Sequence, residues 1–285
     1  MRVLFMKGPV LAAQGLRPAR VSIDVDVLVD PAAMRRLCSA LEQLGWCVPV
    51  ASTTARIVPQ HSATYAHEAW PCTVDVHHRF PGFLAGPQVV FEALWARRTT
   101  ANVAGREVPC CDVLGSAAIL ALHALRDPSR PHLQSELAHL VDVLNASIDD
   151  AGRAELAQLT AMTGASATLE PFLDAVGAPR TGREVVDSPE LKAWRIRTAA
   201  TGVKSVAWLA ELSRTPLRRW IPTLWRAVTL TEAEIRHTYP EAAPGSWGLL
   251  GARMRRLRRG LVDLPKAARI VWRSGIASHP AGGRR

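Results

Sequence analysis

A chain of 285 residues, 48% of them hydrophobic, exceeds the usual single-domain size and can bury a sizeable core, so one catalytic domain followed by a second, helical region is expected. The formal charge of +10 is a property of the tail, since residues 251–285 hold ten basic side chains against the single acid Asp263 and the preceding chain is almost neutral; this argues against a generally nucleic-acid-coating protein. The odd set Cys38, Cys47, Cys72, Cys110 and Cys111 contains no C-x-x-C pair, which excludes a disulfide framework or zinc knuckle. No apolar run approaches the roughly 18–20 residues of a membrane span, and Lys7 interrupts the opening run too early for a secretory segment. The expectation is a soluble, cytoplasmic protein with no transmembrane segment.

In chain order, RVLFM reads as a strand that stops at the turn Lys7-Gly8-Pro9 and is followed by a helix through VLAAQ. From Val21 to Val29 the odd positions are all Val or Ile and the even ones include Ser22, Asp24 and Asp26, the alternation of a strand with one buried face. Asp30 and Pro31 then suit the cap and first position of a helix that runs through MRRLCSALEQL to Gly45. Short strands are expected near GWCVPV and ARIVPQ, and TVDVHHRF alternates again, with Asp75 and His77 on one face and Val74 and Val76 on the other. A helix over QVVFEALWARR and a hairpin in NVAGREVPC complete this part.

From Asp112 onward the apolar residues recur at helical spacing, in VLGSAAILALHALR, LQSELAHLVDVLNA and AELAQLTAM, the last capped by Asp149 or Asp150. Ser188-Pro189-Glu190 and the Thr231 to Glu234 capping box mark further helix starts. The expected class is α+β: a small mixed β-sheet domain flanked by helices over residues 1–111, a helical domain over 112–245, and a basic amphipathic helical tail over 246–285.

The chemistry concentrates in the carboxylates. Residues two apart in a strand project from one face about 6.5–7 Å apart, so Asp24 and Asp26 aim at one volume, where two anions repel unless a cation intervenes. Oxygen ligands suit magnesium, which takes one or two carboxylates and fills its shell with water and phosphate oxygens. Asp75, on a second alternating strand, is placed to be a third ligand. A D-x-D pair also occurs as a helix cap or a solvent-facing pair, and that alternative stays open at this point.

These residues carry a resemblance. The stretch MKGPVLAAQG through RVSIDVDVLVDPAAMRRLCSALEQLGW resembles the uncharacterised nucleotidyltransferase family of the DNA polymerase beta-type superfamily, at Lys7, Gly8, Arg20, Asp24, Asp26, Leu28 and Val29. TVDVHHRF is similar to the family's next motif at Asp75 and His77, with His78 where Trp is usual, and the helices carrying His123 and Asp142 also match. The resemblance, over roughly residues 3–146, implies transfer of a nucleoside monophosphate from an NTP to a small-molecule, peptide or protein acceptor with release of pyrophosphate, or a non-catalytic nucleotide- or partner-binding relative of the same fold. It implies Asp24, Asp26 and Asp75 as catalytic, Mg2+- or Mn2+-binding residues, and Lys7, Gly8, Arg20 and His77 as nucleotide- and phosphate-binding ones. The Lys7-Gly8-Pro9 turn departs from the Gly-Ser of the wider superfamily.

Read from the residues alone, Arg20 either binds phosphate or pairs with an acid such as Asp24 or Asp30, and His123 and Asp142 suit a buried hydrogen bond between helices. In the tail, Met254, Leu257 and Leu261 fall at helical spacing among arginines. They either pack the tail onto its own domain or let it lie on an anionic membrane surface or along nucleic acid.

Overall fold

In the computed structural model, residues 1–49, 61–179, 188–199 and 245–273 are described, with isolated positions between 220 and 235. The chain divides into two compact units, one of Met1–Pro49 with His61–Trp194 and one of Val50–Gln60 with Arg195–Arg285.

The first unit is built on a six-stranded mixed sheet in the order β3-β4-β2-β1-β6-β5. Its strands are β1 (Val3–Met6), β2 (Asp24–Val29), β3 (Ser62–Tyr65), β4 (Thr73–His77), β5 (Thr99–Val103) and β6 (Arg106–Cys110). β1 runs antiparallel to β2, whereas β2 and β4 are parallel with Asp26 opposite Asp75 and Leu28 opposite His77. The expected hairpin is β5–β6, turned at Ala104 and Gly105, both at positive φ.

Helices cover both faces. On one, Val25, Val27 and Val29 of β2 and Val74 and Val76 of β4 pack with Met34, Leu37 and Leu41 of α2 (Met34–Gln43). Asp30 caps the entry to that helix as expected, accepting from the Ala32 amide at 3.1 Å, but Pro31–Ala33 form a 3-10 turn before the α-helix starts. On the other face Leu4, Met6 and Leu28 join a continuous core with Phe80, α3 (Pro87–Ala96), α4 (Val113–Leu125), α5 (Pro131–Ser147), α6 (Asp150–Met162) and α7 (Glu170–Ala175). The change from strand to helix periodicity at residue 112 falls inside this core, where Cys111 and Leu114 are both members. α4 is capped by Asp112, which accepts from the Gly115 amide at 2.8 Å, and α6 by Asp149.

Two details differ from expectation. The strand expected from Val21 begins at Asp24, and Val21 and Ile23 are 92% and 79% exposed, because the partner residue of Asp24 is Thr73, the first of β4. Near GWCVPV there is one isolated bridge, Cys47 to Ala66, and the paired strand is Ser62–Tyr65 instead; ARIVPQ lies outside the described residues. The start at Ser188 is present, its hydroxyl accepting from the Leu191 amide at 3.1 Å and opening α8 (Pro189–Ala199), while the stretch after Thr231 lies largely outside the described residues. In the second unit α9 (Ser246–Arg273) is described, with Ile235, Leu249 and Ala252 packed together.

Candidate functional site

The parallel register of β2 and β4 sets Asp26 beside Asp75 on the sheet face that carries Met6 and Leu28. His77 follows Asp75 on that face, and donor atoms of Asp26, Asp75 and His77 lie within 4.8 Å of one another. Asp26 is 4% exposed. Its Oδ1 takes two partners, Nε2 of His77 at 2.9 Å and Nζ of Lys7 at 2.7 Å. Burial pushes the Asp26 carboxyl upward, but the His77 hydrogen bond and the Lys7 charge outweigh it and hold the group below its usual range.

Lys7 reaches Asp26 because of its backbone. It follows β1 at φ 53° and precedes Gly8 at φ 46°, so two successive residues have the positive φ that non-glycine residues seldom adopt. This turn reverses the chain into α1 (Gly8–Ala13) and sends the lysine back across the end of β2. Its ammonium lies 5.8 Å from the ring centre of Phe80. Gly8 contributes its carbonyl, which accepts from Nη2 of Arg17 at 3.1 Å.

Asp24 stands apart from the closest cluster. It projects from the same face as Asp26 but lies opposite Thr73, and Ser22 Oγ donates to its carbonyl at 2.8 Å and to its Oδ1 at 3.2 Å. The three-carboxylate set expected from the sequence is therefore drawn tightest as two carboxylates and a histidine, with Asp24 on the open side. Asp75 Oδ1 is buried with no hydrogen-bond partner, as is His77 Nδ1. A buried carboxylate oxygen with nothing to accept costs free energy, and a bound cation is the group that would satisfy it. The donor chemistry fits: hard carboxylate oxygens on adjacent strands suit Mg2+ or Mn2+, while His77, bonded to Asp26, orients that ligand.

Several cations surround this pair. Arg20, half exposed, forms an ion pair with Glu136 of α5 and not with Asp24 or Asp30. Arg17 is nearly buried, and desolvation followed by repulsion from Arg20 lowers its pKa. At the end of α4, Arg126 is likewise lowered by burial, which the charge of Asp26 opposes. His123 lies within hydrogen-bonding range of Arg126, at 3.5 Å. Its pKa is pushed down to about 3 by burial, reinforced by Lys7 and Arg126 and opposed by Asp26. A helix C-terminus favours the charged imidazole by only about 0.3–1 kcal/mol, too little to prevail here. The buried hydrogen bonds between helices expected of His123 and Asp142 are not what the structure shows: His123 contacts Arg126 on its own helix, and Asp142 is exposed on α5. Arg17 and Arg126 escaped sequence reasoning. The one available signal was the three-residue spacing from His123 to Arg126, which puts both on one helix face.

A family model described as uncharacterised nucleotidyltransferase matches residues 1–174, more than half of the chain. The chain belongs to this nucleotidyltransferase family. The matched span contains the whole sheet, the Asp26–Asp75–His77 cluster and the helices from α1 to α6. Neither a curated protein nor a solved structure matches the chain.

Proposed function

We propose that this nucleotidyltransferase moves a nucleoside monophosphate from an NTP to a small-molecule, peptide or protein acceptor, with Mg2+ or Mn2+ held by Asp26 and Asp75 and approached by Asp24. The observation that carries the reading is the side-by-side placement of Asp26 and Asp75 on parallel strands, with Asp75 Oδ1 buried and unpaired. In the reaction an acceptor oxygen attacks the α-phosphorus, the bond to the bridging oxygen breaks, and pyrophosphate leaves with the electron pair. The metal, when bound, offsets charge on the phosphate oxygens.

The chain's own groups do the rest. The proton lost by the acceptor passes to Asp24, the carboxylate of the set that stands apart from the Asp26–Asp75 pair. Lys7, bonded to Asp26, and Arg20, paired with Glu136, are the side chains that would turn to phosphate, and Arg17 holds the Gly8 carbonyl so that the Lys7 turn keeps its shape. Positioning and charge stabilisation of this kind supply most of the rate in phosphoryl transfer.

A second reading, a non-catalytic relative that binds nucleotide, draws on the Lys7–Asp26 ion pair, which neutralises a charge that a metal would use. Pyrophosphate release measured with Mg2+, each NTP and a panel of acceptors separates the two. Transfer predicts release by the wild type that Asp26→Asn and Asp75→Asn each reduce by about a hundredfold or more. Nucleotide binding with no release from any acceptor selects the second reading, and equal turnover in wild type and Asp26→Asn removes the site assignment.

A further inference from the structure

Helix α9 belongs to the second unit and lies beyond the family match. Its packed face is identified by Ala252, which is fully buried against Ile235 with Leu249 beside it. Of the stripe Met254, Leu257 and Leu261, for which packing onto its own domain and lying on an anionic surface were both open, Leu257 is half-buried and the other two face outward. Met254 is 57% exposed, Leu261 69% and Trp247 84%, and Leu250 and Val262 are also exposed. At 100° per residue, Trp247, Leu250, Met254 and Leu261 fall within one narrow arc of the helix, on the side away from Ala252. Arg258 and Arg269 border this arc and Arg255 lies on its flank; all three are exposed.

An outward apolar stripe on a soluble helix costs free energy unless something covers it. The charge around it defines what fits, since residues 251–285 hold ten basic side chains against Asp263 alone. Among the described residues no helix is long and apolar enough to cross a membrane, so the stripe matches a surface that is anionic outside and apolar just beneath. We infer that α9 lies along the face of an anionic lipid bilayer, with Trp247, Leu250, Met254 and Leu261 among the upper acyl chains and the arginines on headgroup phosphates. Nucleic acid would engage the arginines but leave four large apolar side chains in water, whereas the bilayer takes both sets.

The test is co-sedimentation of the full chain with vesicles of phosphatidylcholine alone and of phosphatidylcholine containing about one third phosphatidylglycerol. The chain should bind the anionic vesicles, lose that binding as salt rises, and ignore the neutral ones. Leu250→Gln with Met254→Gln should weaken binding about tenfold or more, because two apolar anchors are lost. Arg255→Gln with Arg258→Gln should weaken it about twenty-five-fold, at roughly fivefold per charge. All four side chains face solvent in the free protein, so circular dichroism of the variants should match the wild type. Three results overturn the inference: no sedimentation with anionic vesicles; binding unchanged in the Leu250/Met254 variant with tight binding to duplex DNA, which assigns the helix to nucleic acid; or a dimer that the same variant dissolves, with no lipid binding in either form.

Discussion

Lys7 Nζ and Asp26 Oδ1 stand 2.7 Å apart with the carboxylate almost wholly buried, so the chain itself supplies one cation to its own acidic pair. A Lys7→Met substitution removes that charge and leaves Asp26 with His77 as its remaining side-chain hydrogen-bond partner. Mn2+ affinity, followed by electron paramagnetic resonance, should rise by up to about tenfold, since a competing cation worth roughly 1.4 kcal/mol is gone. Pyrophosphate release should nevertheless fall, because the same ammonium is needed on the phosphates. Weaker metal binding in the variant would show that Lys7 does not compete for the site.

Arg20 and Glu136 make a second separable case. Glu136 is mostly buried, and one of its oxygens lacks a partner, so the pair holds a cation in reserve at the edge of the site. If Arg20 turns to phosphate, Arg20→Ala should raise the KM for NTP by about tenfold or more with kcat little changed. Glu136→Gln should lower KM by releasing the guanidinium. Identical KM values in both variants, with a shared loss of thermal stability, would make the pair purely structural.

Acid should destabilise the fold through two groups that act in different windows. His123 has its folded pKa pushed down to about 3 from the ordinary histidine value of about 6.5, so between those limits the unfolded chain takes up a proton that the folded chain refuses. Stability therefore falls as pH drops through that window, by at most about 1.4 kcal/mol per pH unit from this one group. Asp26, held below 3.8, contributes stability that is present above that value and lost as pH falls through its lowered folded pKa. Urea unfolding midpoints at pH 7.5, 6 and 5 should decline for the wild type, and His123→Gln should flatten the decline. Parallel slopes in the two proteins would contradict the His123 assignment.

Two glycines should respond to alanine for different reasons. At Gly8 the added Cβ would lie 3.6 Å from Ser22 Oγ, an ordinary contact, so the penalty comes from φ 46° and amounts to about 1–2 kcal/mol. At Gly82 the same atom would come within 2.4 Å of Leu122 and 2.9 Å of Trp194, with φ at 104°; strain and overpacking add, for about 2–5 kcal/mol. Thermal denaturation of the two variants should rank Gly82→Ala well below Gly8→Ala, and the reverse order would refute the packing argument.

The local chemistry of this fold was legible in the sequence wherever one element decided the outcome. The valine alternation of β2 and β4, the Asp30 and Asp149 caps and the Gly105 hairpin all express preferences of a few adjacent residues. What escaped depends on partners. Val21 and Ile23 continue the alternation but lie before the first β2–β4 pair, Asp24 with Thr73, and β3 is too short and polar in Ser62–Tyr65 to announce itself. Of the candidate site, the alternation of the two strands put Asp26 and Asp75 on one kind of face, whereas the Lys7 ion pair with Asp26 was not foreseen. That His77 rather than Asp24 completes the closest cluster follows from the β2–β4 register, and the nearness of Arg17 and Arg126 to Asp26 follows from chain crossings; a linear pattern encodes neither.

The valines on the far side of β2 and β4 have a consequence for engineering. Side-chain period in a strand is two, so sliding β4 by one residue against β2 would drive Val74 and Val76 into the carboxylate face and Asp75 into the grease beneath α2. The apolar layer thus works as an alignment jig for ligands that it never touches. Loops around the sheet can be rebuilt without resetting the carboxylates, whereas a cavity cut beneath the valines at Leu37 or Leu41 reaches Asp26 and Asp75 from behind.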